Sequence, residues 1–543
     1  MLKNLKLVMN KTLSNFILLV FIGLVIVNCA NRGTPEGGPK DETPPVIIEE
    51  VPINFTTNFK GKTIKIYFNE YVKIKDLSKQ LVISPPMNTQ PEITPLGSAS
   101  KYITIKIFDT LQPNTTYAFN FGNSITDNNE GNPYPYYRYV FSTGNYIDSL
   151  NVKGNIMDAL KRQPETFVNV ALYEVDSTFT DSIIYKKPPK YITNTLDSLT
   201  TFSIENIKAG TYMLMALKDG NNDNKFQQKA DQIGFYKRFI TVPTDTLYTL
   251  KLFSEDLDFK PSKPFIAAEE KIAFGYEGDY TKMKIKIKSE IPADFDYRVT
   301  KDETKDTLYY WYKPKLEVDS LDFKVSHQNF EKDFNVKIRE QKKDSLTIKS
   351  TPTGTIRLDE PFKIRGSIPF FSFDASKVTI IDKDSTKVDF TSEFDTINNN
   401  YVFNFKKKEE NKYNLQILPE AFVDFFDNKN DTLNYSVSTK KASDFGYVRF
   451  TLINATYPLI IQLTTEKGEV KVEQYITKQG DIDFLNLIAS TYYIRVIHDT
   501  NGNRKYDTGS YLKKTQPERV SHFKEIEVRA DWGYPETLEF TPE

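Results

Sequence analysis

Apolar and polar residues alternate along most of the chain, as they do in half-buried β-strands. Thr63-Ile-Lys-Ile-Tyr-Phe68, Tyr102-Ile-Thr-Ile-Lys-Ile107 and Lys282-Met-Lys-Ile-Lys-Ile-Lys288 place an apolar residue at every second position. This period puts apolar side chains on one face of a sheet and lysine or threonine in water. Asn, Asp, Gly and Pro separate many such runs. The pattern predicts an all-β chain of tandem antiparallel β-sandwiches, with only a weak helix candidate around residues 266–273.

One continuous apolar run, residues 16–27, differs from the alternating pattern. It follows a start that carries three lysines and no acidic residue in its first 15 positions. This is the anatomy of a signal peptide. The run of 12 residues is too short for a transmembrane helix, because the bilayer core requires about 20 apolar residues. We therefore predict that residues 1–28 are a signal peptide.

Cys29 is the only cysteine and directly follows the apolar run. The segment Ile26-Val27-Asn28-Cys29 resembles a lipobox, with Asn28 in place of the usual small residue. The alternative is an ordinary secreted protein with a stray thiol. We favour lipidation of Cys29, because a random cysteine would rarely fall at the end of the only continuous apolar run. Each buried acyl CH₂ contributes about 0.8 kcal/mol, so several chains would anchor the protein durably. The lipid would attach the protein to the outer membrane.

Charge and cysteine content limit the function classes. Loss of residues 1–28 removes three lysines and moves the formal net charge from −1 to −4. A basic nucleic-acid binder is excluded on these grounds. With no cysteine beyond Cys29, the body has no intramolecular disulfide and depends on its apolar cores. Residues 31–45 contain four prolines and three glycines, which predicts that residues 29–45 form an extended tether.

Two stretches of the chain carry recognisable motifs. The motifs of residues 44–143 are Pro44-Pro45-Val46, Tyr67-Phe-Asn-Glu70, Leu111-Gln-Pro-Asn-Thr-Thr-Tyr117, Ile125-Thr-Asp-Asn-Asn-Glu-Gly-Asn132 and Tyr139-Val-Phe-Ser-Thr143. Those of residues 150–248 are Val152-Lys-Gly154, Phe167-Val-Asn-Val-Ala-Leu-Tyr173 and Ile207-Lys-Ala-Gly-Thr-Tyr212. On these motifs, the first stretch resembles the bacterial Ig-like domain of many Bacteroidetes lipoproteins. The second is similar to a transthyretin-like or carboxypeptidase-regulatory-like sandwich.

An internal repeat extends this organisation to the C-terminus. At an offset of 280, Asn206-Ile-Lys-Ala-Gly-Thr-Tyr212 aligns with Asn486-Leu-Ile-Ala-Ser-Thr-Tyr492. At an offset of 296, Tyr435-Ser-Val-Ser-Thr439 aligns with Tyr139-Val-Phe-Ser-Thr143. The repeat predicts two similar pairs of domains. The expected domains are an Ig-like domain at 46–144, a transthyretin-like sandwich at 150–255, an unclassified β domain at 256–350, a diverged Ig-like domain at 351–441 and a second transthyretin-like sandwich at 445–543.

The repeat carries the only motif with the spacing of metal ligands. Oxygen-bearing residues at positions 1, 3 and 5 of a loop resemble the start of a calcium loop. The bidentate Glu expected at position 12 is replaced by Ala230 in one copy and Ser510 in the other. The alternative is a tight loop held by Asx turns. The candidate calcium ligands are Asp219, Asn221, Asp223 and Asp231 in the first copy, and Asp499, Asn501, Asn503 and Asp507 in the second.

Recognisable catalytic motifs are absent from the sequence, which contains no nucleophile elbow, zinc-protease motif or phosphate-binding loop. We therefore expect a protein without enzymatic activity. The favoured function is a scaffolding or accessory subunit of an outer-membrane machine for barrel assembly, secretion or nutrient uptake. The first alternative is a glycan- or matrix-binding surface module, which Tyr134-Pro-Tyr-Tyr137 and Tyr309-Tyr-Trp-Tyr312 would suit unless they pack across strands. The second is a hydrolase with an unrecognised site.

The sequence leaves the membrane face open. Some Bacteroidetes lipoproteins reach the cell surface through an acidic run just after the lipidated Cys. Here Ala30-Asn-Arg-Gly33 is not acidic, and the first acidic pair is Asp41-Glu42. This argues against surface export without deciding between the periplasmic and the cell-surface face.

Overall fold

The computed structural model describes residues 41–196, 200–328 and 330–541. The predicted signal peptide, Cys29 and most of the tether lie outside these residues. Within them, no helix is long and apolar enough to cross a membrane. The described chain is nearly all β, and the prediction of tandem antiparallel β-sandwiches is confirmed.

The chain divides into two compact units. The first comprises residues 41–81, 88–113 and 119–143, and the second comprises residues 82–87, 114–118 and 144–541. A single short helix, α1 (Leu77–Gln80), lies in the first unit. Between residues 41 and 143 the structure has eight strands: β1 (Ile47–Val51), β2 (Thr63–Ile74), β3 (Val82–Ser84), β4 (Glu92–Thr94), β5 (Ser100–Lys106), β6 (Thr116–Asn120), β7 (Ile125–Asp127) and β8 (Arg138–Ser142).

The core of the first unit is built on one antiparallel sheet. Its strand order is β1-β2-β5-β4, and β7 pairs with the far end of β2. The alternation seen in the sequence sets the faces, since Ile66 and Ile103 are opposite each other and fully buried. Lys65 and Tyr102 alternate with these residues, are exposed and face solvent.

The second unit begins its run of sandwiches with β9–β16. One sheet has the order β12-β9-β16, with β16 parallel to β9, and the other has the order β11-β10-β13-β14, with β15 also on β13. Their strands are β9 (Leu150–Asp158), β10 (Asn169–Glu174), β11 (Tyr191–Asn194), β12 (Thr201–Ile207), β13 (Gly210–Lys218), β14 (Gln232–Phe235), β15 (Ile240–Val242) and β16 (Leu247–Leu252). A 3-10 helix, Asp181–Tyr185, precedes β11.

The next sandwich has the sheets β17-β19-β22-β21, with β18 on β19, and β20-β23-β24. The weak helix prediction around residues 266–273 is wrong: β18 and β19 form a hairpin there, turning at Glu269-Glu270. The apolar residues on both sides of this turn are too few for a helix and pair as strands. The strands are β17 (Lys260–Pro261), β18 (Phe265–Ala268), β19 (Lys271–Glu277), β20 (Lys284–Ile287), β21 (Asp296–Lys301), β22 (Thr307–Lys313), β23 (Ser320–His327) and β24 (Phe330–Lys337).

Three sheets form the next module: β25-β27-β31-β30, β26-β34-β32-β29 and the pair β28-β33. A 3-10 helix, Ala375–Lys377, precedes β29. The strands are β25 (Ile348–Thr351), β26 (Gly354–Thr355), β27 (Phe362–Gly366), β28 (Phe370–Phe373), β29 (Val378–Ile381), β30 (Phe390–Asp395), β31 (Asn400–Phe405), β32 (Lys412–Ile417), β33 (Phe422–Asp424) and β34 (Leu433–Ser438).

The last sandwich, β35–β42, has the same topology as β9–β16. Its sheets are β38-β35-β42, with β42 parallel to β35, and β37-β36-β39-β40, with β41 also on β39. A 3-10 helix, Ala442–Asp444, precedes it. The strands are β35 (Phe445–Ile453), β36 (Leu459–Thr464), β37 (Val470–Ile476), β38 (Ile482–Ile488), β39 (Ser490–His498), β40 (Val520–His522), β41 (Ile526–Val528) and β42 (Gly533–Glu539).

The strand register shows that the two sandwiches are copies of one another. Tyr212 pairs with Ile240 in one, and Tyr492 pairs with Ile526 in the other. Asn206 and Asn486, 280 positions apart, both adopt the left-handed conformation, with φ of 60° and 55°. The repeat predicted at an offset of 280 therefore lies in matching sheets of the two sandwiches. We call β9–β16 the first copy and β35–β42 the second copy.

Candidate functional site

The predicted ligand residues follow the central strand of each copy. β13 ends at Lys218 and β39 ends at His498, so Asp219 and Asp499 begin equivalent loops. Asp499 is fully buried, whereas Asp219 is partly buried. These positions place a carboxylate at the point where the chain leaves the sheet and its backbone N–H groups lose their ladder partners.

In the first copy, two carboxylates hold the loop through backbone N–H groups. Asp219 accepts hydrogen bonds from the backbone N–H of Asn222 and Asn224, each at 2.7 Å. Asp231, which is 2% exposed, accepts from Gly220 at 2.9 Å and Gln227 at 2.7 Å. Burial raises the pKa of the Asp219 carboxyl above its ordinary range, and the backbone N–H donors oppose that rise.

The other two predicted ligands of this loop bond to a glutamine that sequence reasoning did not identify. Gln227 accepts from the Asn221 amide at 2.9 Å and donates to Asp223 at 2.8 Å. Asn221 also accepts from the backbone N–H of Asp223, and Asp223 accepts from that of Lys225. The four predicted ligands of the first copy therefore belong to one hydrogen-bond network, whose partners are residues of the same loop.

The second copy repeats the network with different partners. Asp499 accepts from the backbone N–H of Gly502 and Arg504, both at 2.9 Å. The amides of Asn501 and Asn503 both donate to Asp507. Glu518 accepts from the backbone N–H of Asp507 at 3.1 Å and has the role of second carboxylate that Asp231 has in the first copy.

The two interpretations of these loops can be compared on this geometry. The oxygens of the predicted ligands accept backbone and side-chain N–H groups, which is the arrangement of Asx turns. Nowhere in residues 41–196, 200–328 and 330–541 do three or more His, Cys, Asp or Glu side chains group as a metal would need. These contacts support the Asx-turn alternative, and calcium binding stays a prediction.

Two further aspartates cap loops that sequence reasoning did not single out. Asp127, at the end of β7, accepts from the backbone N–H of Glu130 and Asn132, each at 2.7 Å. Asp424, at the end of β33, accepts from Asn428 at 2.8 Å in the corresponding place of the later module. The available signal was the Asp-Asn-Asn-Glu-Gly segment after Thr126, where Asn and Gly indicate a tight turn.

The loops of the two copies differ in length. Residues 219–231 join β13 to β14, whereas residues 499–519 join β39 to β40, so the second loop is eight residues longer. The additional length carries Tyr511, which is fully buried and packs within an apolar cluster of the first copy that includes Met213 and Phe235. We call residues 508–516 the latch.

Polar contacts surround the buried ring of the latch. The backbone N–H of Tyr511 donates to Glu255, and its hydroxyl lies 3.0 Å from the sulfur of Met213. Lys514 forms an ion pair with Asp181 at 2.6 Å. Burial raises the pKa of the Glu255 carboxyl, and the donor from the latch counters it. Tyr511 of the second copy thus completes an apolar cluster of the first copy, although more than 250 positions separate it in the sequence from Glu255 and the cluster residues Met213 and Phe235.

A second set of contacts joins the same two copies. Arg162 forms an ion pair with Glu525 at 3.3 Å and donates to the Phe523 carbonyl at 3.2 Å. Arg495, 6% exposed, donates to Gln462 at 2.6 Å and to the Leu160 carbonyl at 3.4 Å. Two separate contact regions limit rotation of one copy against the other.

The two aromatic segments, residues 134–137 and 309–312, differ in how far their side chains are exposed to solvent. Tyr310, Trp311 and Tyr312 are each at most 2% exposed, so the packing interpretation holds for them. The indole N–H of Trp311 donates to Thr300 at 2.9 Å. In the other segment Tyr136 is 45% exposed, whereas Tyr137 is buried and donates to Glu50. Burial and the Glu50 contact raise the pKa of Tyr137.

The histidines have structural surroundings. His498 lies 3.0 Å from the Ser521 hydroxyl and packs edge-to-face on Phe540. His327 stacks on Phe259 with ring centroids 4.1 Å apart.

Comparisons with known proteins give a family match for part of the chain and structural neighbours of low identity. Residues 41–143 match the family described as bacterial Ig-like domain. No curated protein matches the chain. Among solved structures, the surface-layer protein SbsC (domains 1–6) aligns at 11% identity and a TM-score of 0.15, covering 88% of this chain and 66% of its own. This chain therefore spans just under two thirds of that structure.

A second solved structure is the I9–I11 tandem from titin. It aligns at 12% identity and a TM-score of 0.12, covering 52% of this chain and 100% of its own. The family match falls on the strands β1–β8 described above. Residues 41–143 therefore match the bacterial Ig-like domain family.

Proposed function

We propose that this protein is a non-enzymatic scaffold, held at the outer membrane by lipid on Cys29, that presents its sandwiches to an outer-membrane protein machine. The observation that carries the proposal is the latch. A side chain of the second copy lies fully buried in the first, so the modules between them are held at both ends. A scaffold requires surfaces at fixed positions, and buried inter-domain contacts supply them.

The seam between the two middle modules supports the same function. Trp311, Ile368 and Phe425 form one buried cluster that joins β22 to the module that follows. Arg365 donates to the Lys301 carbonyl at 3.0 Å across this seam. Such contacts restrict motion between neighbouring domains, whereas a flexible chain of modules would leave them separate.

Metabolic labelling with a palmitate analogue tests the anchor. We expect label on the wild type and none on Cys29→Ser, which should leave the membrane fraction after a carbonate wash. Retention of unlabelled Cys29→Ser in washed membranes would mean that the protein is held by a partner instead of a lipid.

Cross-linking in intact cells, followed by mass spectrometry, tests the scaffold. The wild type should cross-link reproducibly to a single outer-membrane protein or complex. Tyr511→Ala, which loosens the two copies, should reduce that product, whereas Leu512→Ala should not. Equal cross-linking of all three proteins would contradict a role for the fixed arrangement.

The outer face of the first unit supports a second candidate, a glycan- or matrix-binding surface. Tyr71 and Tyr102 are 55% and 44% exposed there. The ammonium groups of Lys101 and Lys65 lie 5.5 Å and 5.6 Å from these two rings. Exposed aromatic faces suit sugar rings, so glycan-array binding by the wild type but not by Tyr71→Ala/Tyr102→Ala would favour this candidate over the scaffold.

A further inference from the structure

The second copy differs sharply from the first at one end of the sandwich, where β35 begins. Tyr447 donates its backbone N–H to the Trp532 carbonyl, and its ring lies over Gly533. Phe445 pairs with Ile488 on the neighbouring strand, and Leu485 precedes it in the same strand. The strand register therefore places Tyr447, Leu485, Ile488 and Trp532 at one end of this module.

These four side chains are apolar and largely exposed. Tyr447 is 46% exposed, Leu485 and Ile488 are each 60% exposed, and Trp532 is 61% exposed. We call them the apolar end. Monomeric soluble proteins rarely expose a large contiguous apolar patch, and such a patch marks an interaction surface.

The first copy has polar residues at every equivalent position. Val152 pairs with Ile204 as Val448 pairs with Phe484, which aligns Asn151 with Tyr447 and Glu205 with Leu485. By the same registers, Lys208 corresponds to Ile488 and Thr244 to Trp532. The fold does not require apolar residues here, because the first copy forms the same sheets without them.

Lysines lie beside the apolar end. An open depression of about 450 Å³ next to the start of β35 is lined by Lys383, Lys412, Lys440 and Lys441, together with Glu410 and Asp444. Lys441 pairs with Glu410 at 3.1 Å. In the described part of the chain, no ion pair joins the other three lysines to a carboxylate.

Four lysines and two acids line this depression, so its lining stays net positive. Asp444 accepts from the backbone N–H of Lys441, and Glu409 accepts from that of Ala442. Asp531, in the turn before Trp532, donates its backbone N–H to the Phe445 carbonyl, which ties this turn to the start of β35. At the offset of 296, the positions of Lys412, Lys440 and Lys441 are Thr116, Gly144 and Asn145, so the earlier Ig-like module has no equivalent basic group.

We propose that the apolar end and its lysines dock onto an anionic lipid bilayer. Trp and Tyr favour the headgroup region, Leu and Ile enter the acyl boundary, and lysines are attracted to anionic headgroups. The charge complementarity favours a lipid surface over an apolar protein partner. This inference deepens the proposed function, since it adds a second membrane contact to the lipid on Cys29.

Vesicle sedimentation tests the docking without the lipid anchor. The protein is the mature chain from residue 29 with Cys29→Ser. The vesicles are phosphatidylcholine alone or with about one third phosphatidylglycerol. We expect binding to the anionic vesicles and about tenfold weaker partition to the neutral ones.

Two double variants separate the apolar from the electrostatic contribution to vesicle binding. Leu485→Glu/Trp532→Thr should lower partition to anionic vesicles about tenfold. Lys412→Ser/Lys440→Ser should lower it on anionic vesicles only, and raised salt should do the same. The matched control Glu205→Ala/Thr244→Ala, at the equivalent positions of the first copy, should bind like the parent.

Two outcomes would overturn the docking. One is the absence of vesicle binding by the parent protein. The other is equal binding by the parent and Leu485→Glu/Trp532→Thr with both proteins folded by circular dichroism. Neither outcome affects the labelling test of Cys29, so the anchor and the docking can fail separately.

Discussion

The two copies of the duplicated sandwich share sheets, register and even left-handed positions, yet they differ in one loop and at one end. The loop after β39 is eight residues longer than the loop after β13 and carries Tyr511 into the first copy. The end of the second copy presents Trp532 and Leu485 where the first has Thr244 and Glu205. Shared positions maintain the sandwich, so the differing positions are those available for function.

The largest expected effect concerns the latch. Tyr511→Ala removes a fully buried ring from the first copy and should cost about 3–5 kcal/mol, as for other large-to-small core changes. Urea unfolding should show a clearly lower midpoint. Leu512, 59% exposed in the same loop, is the matched control, and Leu512→Ala should change the free energy of unfolding by no more than about 0.5 kcal/mol. Similar midpoints for the two variants would contradict the assignment of Tyr511 to the core.

The free-energy cost of removing a capping aspartate should be larger in the copy where that aspartate is more deeply buried. Asp499→Ala leaves backbone N–H groups without an acceptor at a fully buried position and should cost about 2–3 kcal/mol. Asp219→Ala, at a partly buried position, should cost about 1 kcal/mol. Chemical denaturation measures both, with the exposed Lys505→Ala as control. The reverse order would show that burial does not govern these caps.

Glu255 gives the contact between copies a pH dependence. Burial raises its pKa above the ordinary 4.5, so the folded state holds this proton more tightly than the unfolded state. Ionisation therefore costs stability, and this cost appears as the pH rises from about 4.5 through the folded pKa. Unfolding of the wild type and Glu255→Gln, measured from about pH 5 to pH 7, should show Glu255→Gln gaining in relative stability as the pH rises. If the unfolding free energies of the two proteins changed in parallel with pH, burial would not raise the pKa of Glu255.

Thermal unfolding with and without calcium distinguishes the Asx-turn from the calcium interpretation of the Asp/Asn loops. Of the four predictions, this one has the smallest expected effect. Because Asp219 and Asp499 already accept backbone N–H groups, we expect equal melting midpoints in calcium and in chelator. A bound ion would instead stabilise by about 2.7 kcal/mol at a hundredfold excess over Kd. A midpoint raised by calcium in the wild type but not in Asp219→Asn/Asp499→Asn would establish the metal.

Local features were predictable from the sequence, and contacts between distant segments were not. The period of two in residues 63–68 and 102–107 predicts strands because side-chain alternation is a local property. The hairpin at Glu269-Glu270 was missed because a short apolar run fits either a helix or a strand. The burial of Tyr511 depends on residues more than 250 positions away, and its only sequence signal is the greater length of the second loop.

The candidate site was predicted in part. The repeat placed Asp219 and Asp499 in equivalent loops, and the structure puts them there. Gln227 and Glu518 were missed, because their roles arise from how each loop folds back on itself. The apolar end was visible in principle, since alignment of the copies by register brings Leu485 opposite Glu205.

The most direct test of the account measures the distance between the two copies. Nitroxide labels on Thr241→Cys and Glu527→Cys, exposed and at equivalent positions of the two copies, can be placed in a Cys29→Ser background that has no other cysteine. Double electron–electron resonance should give one narrow distance distribution, which Tyr511→Ala should broaden. A broad distribution in the parent would contradict the account, because the two copies would then move independently.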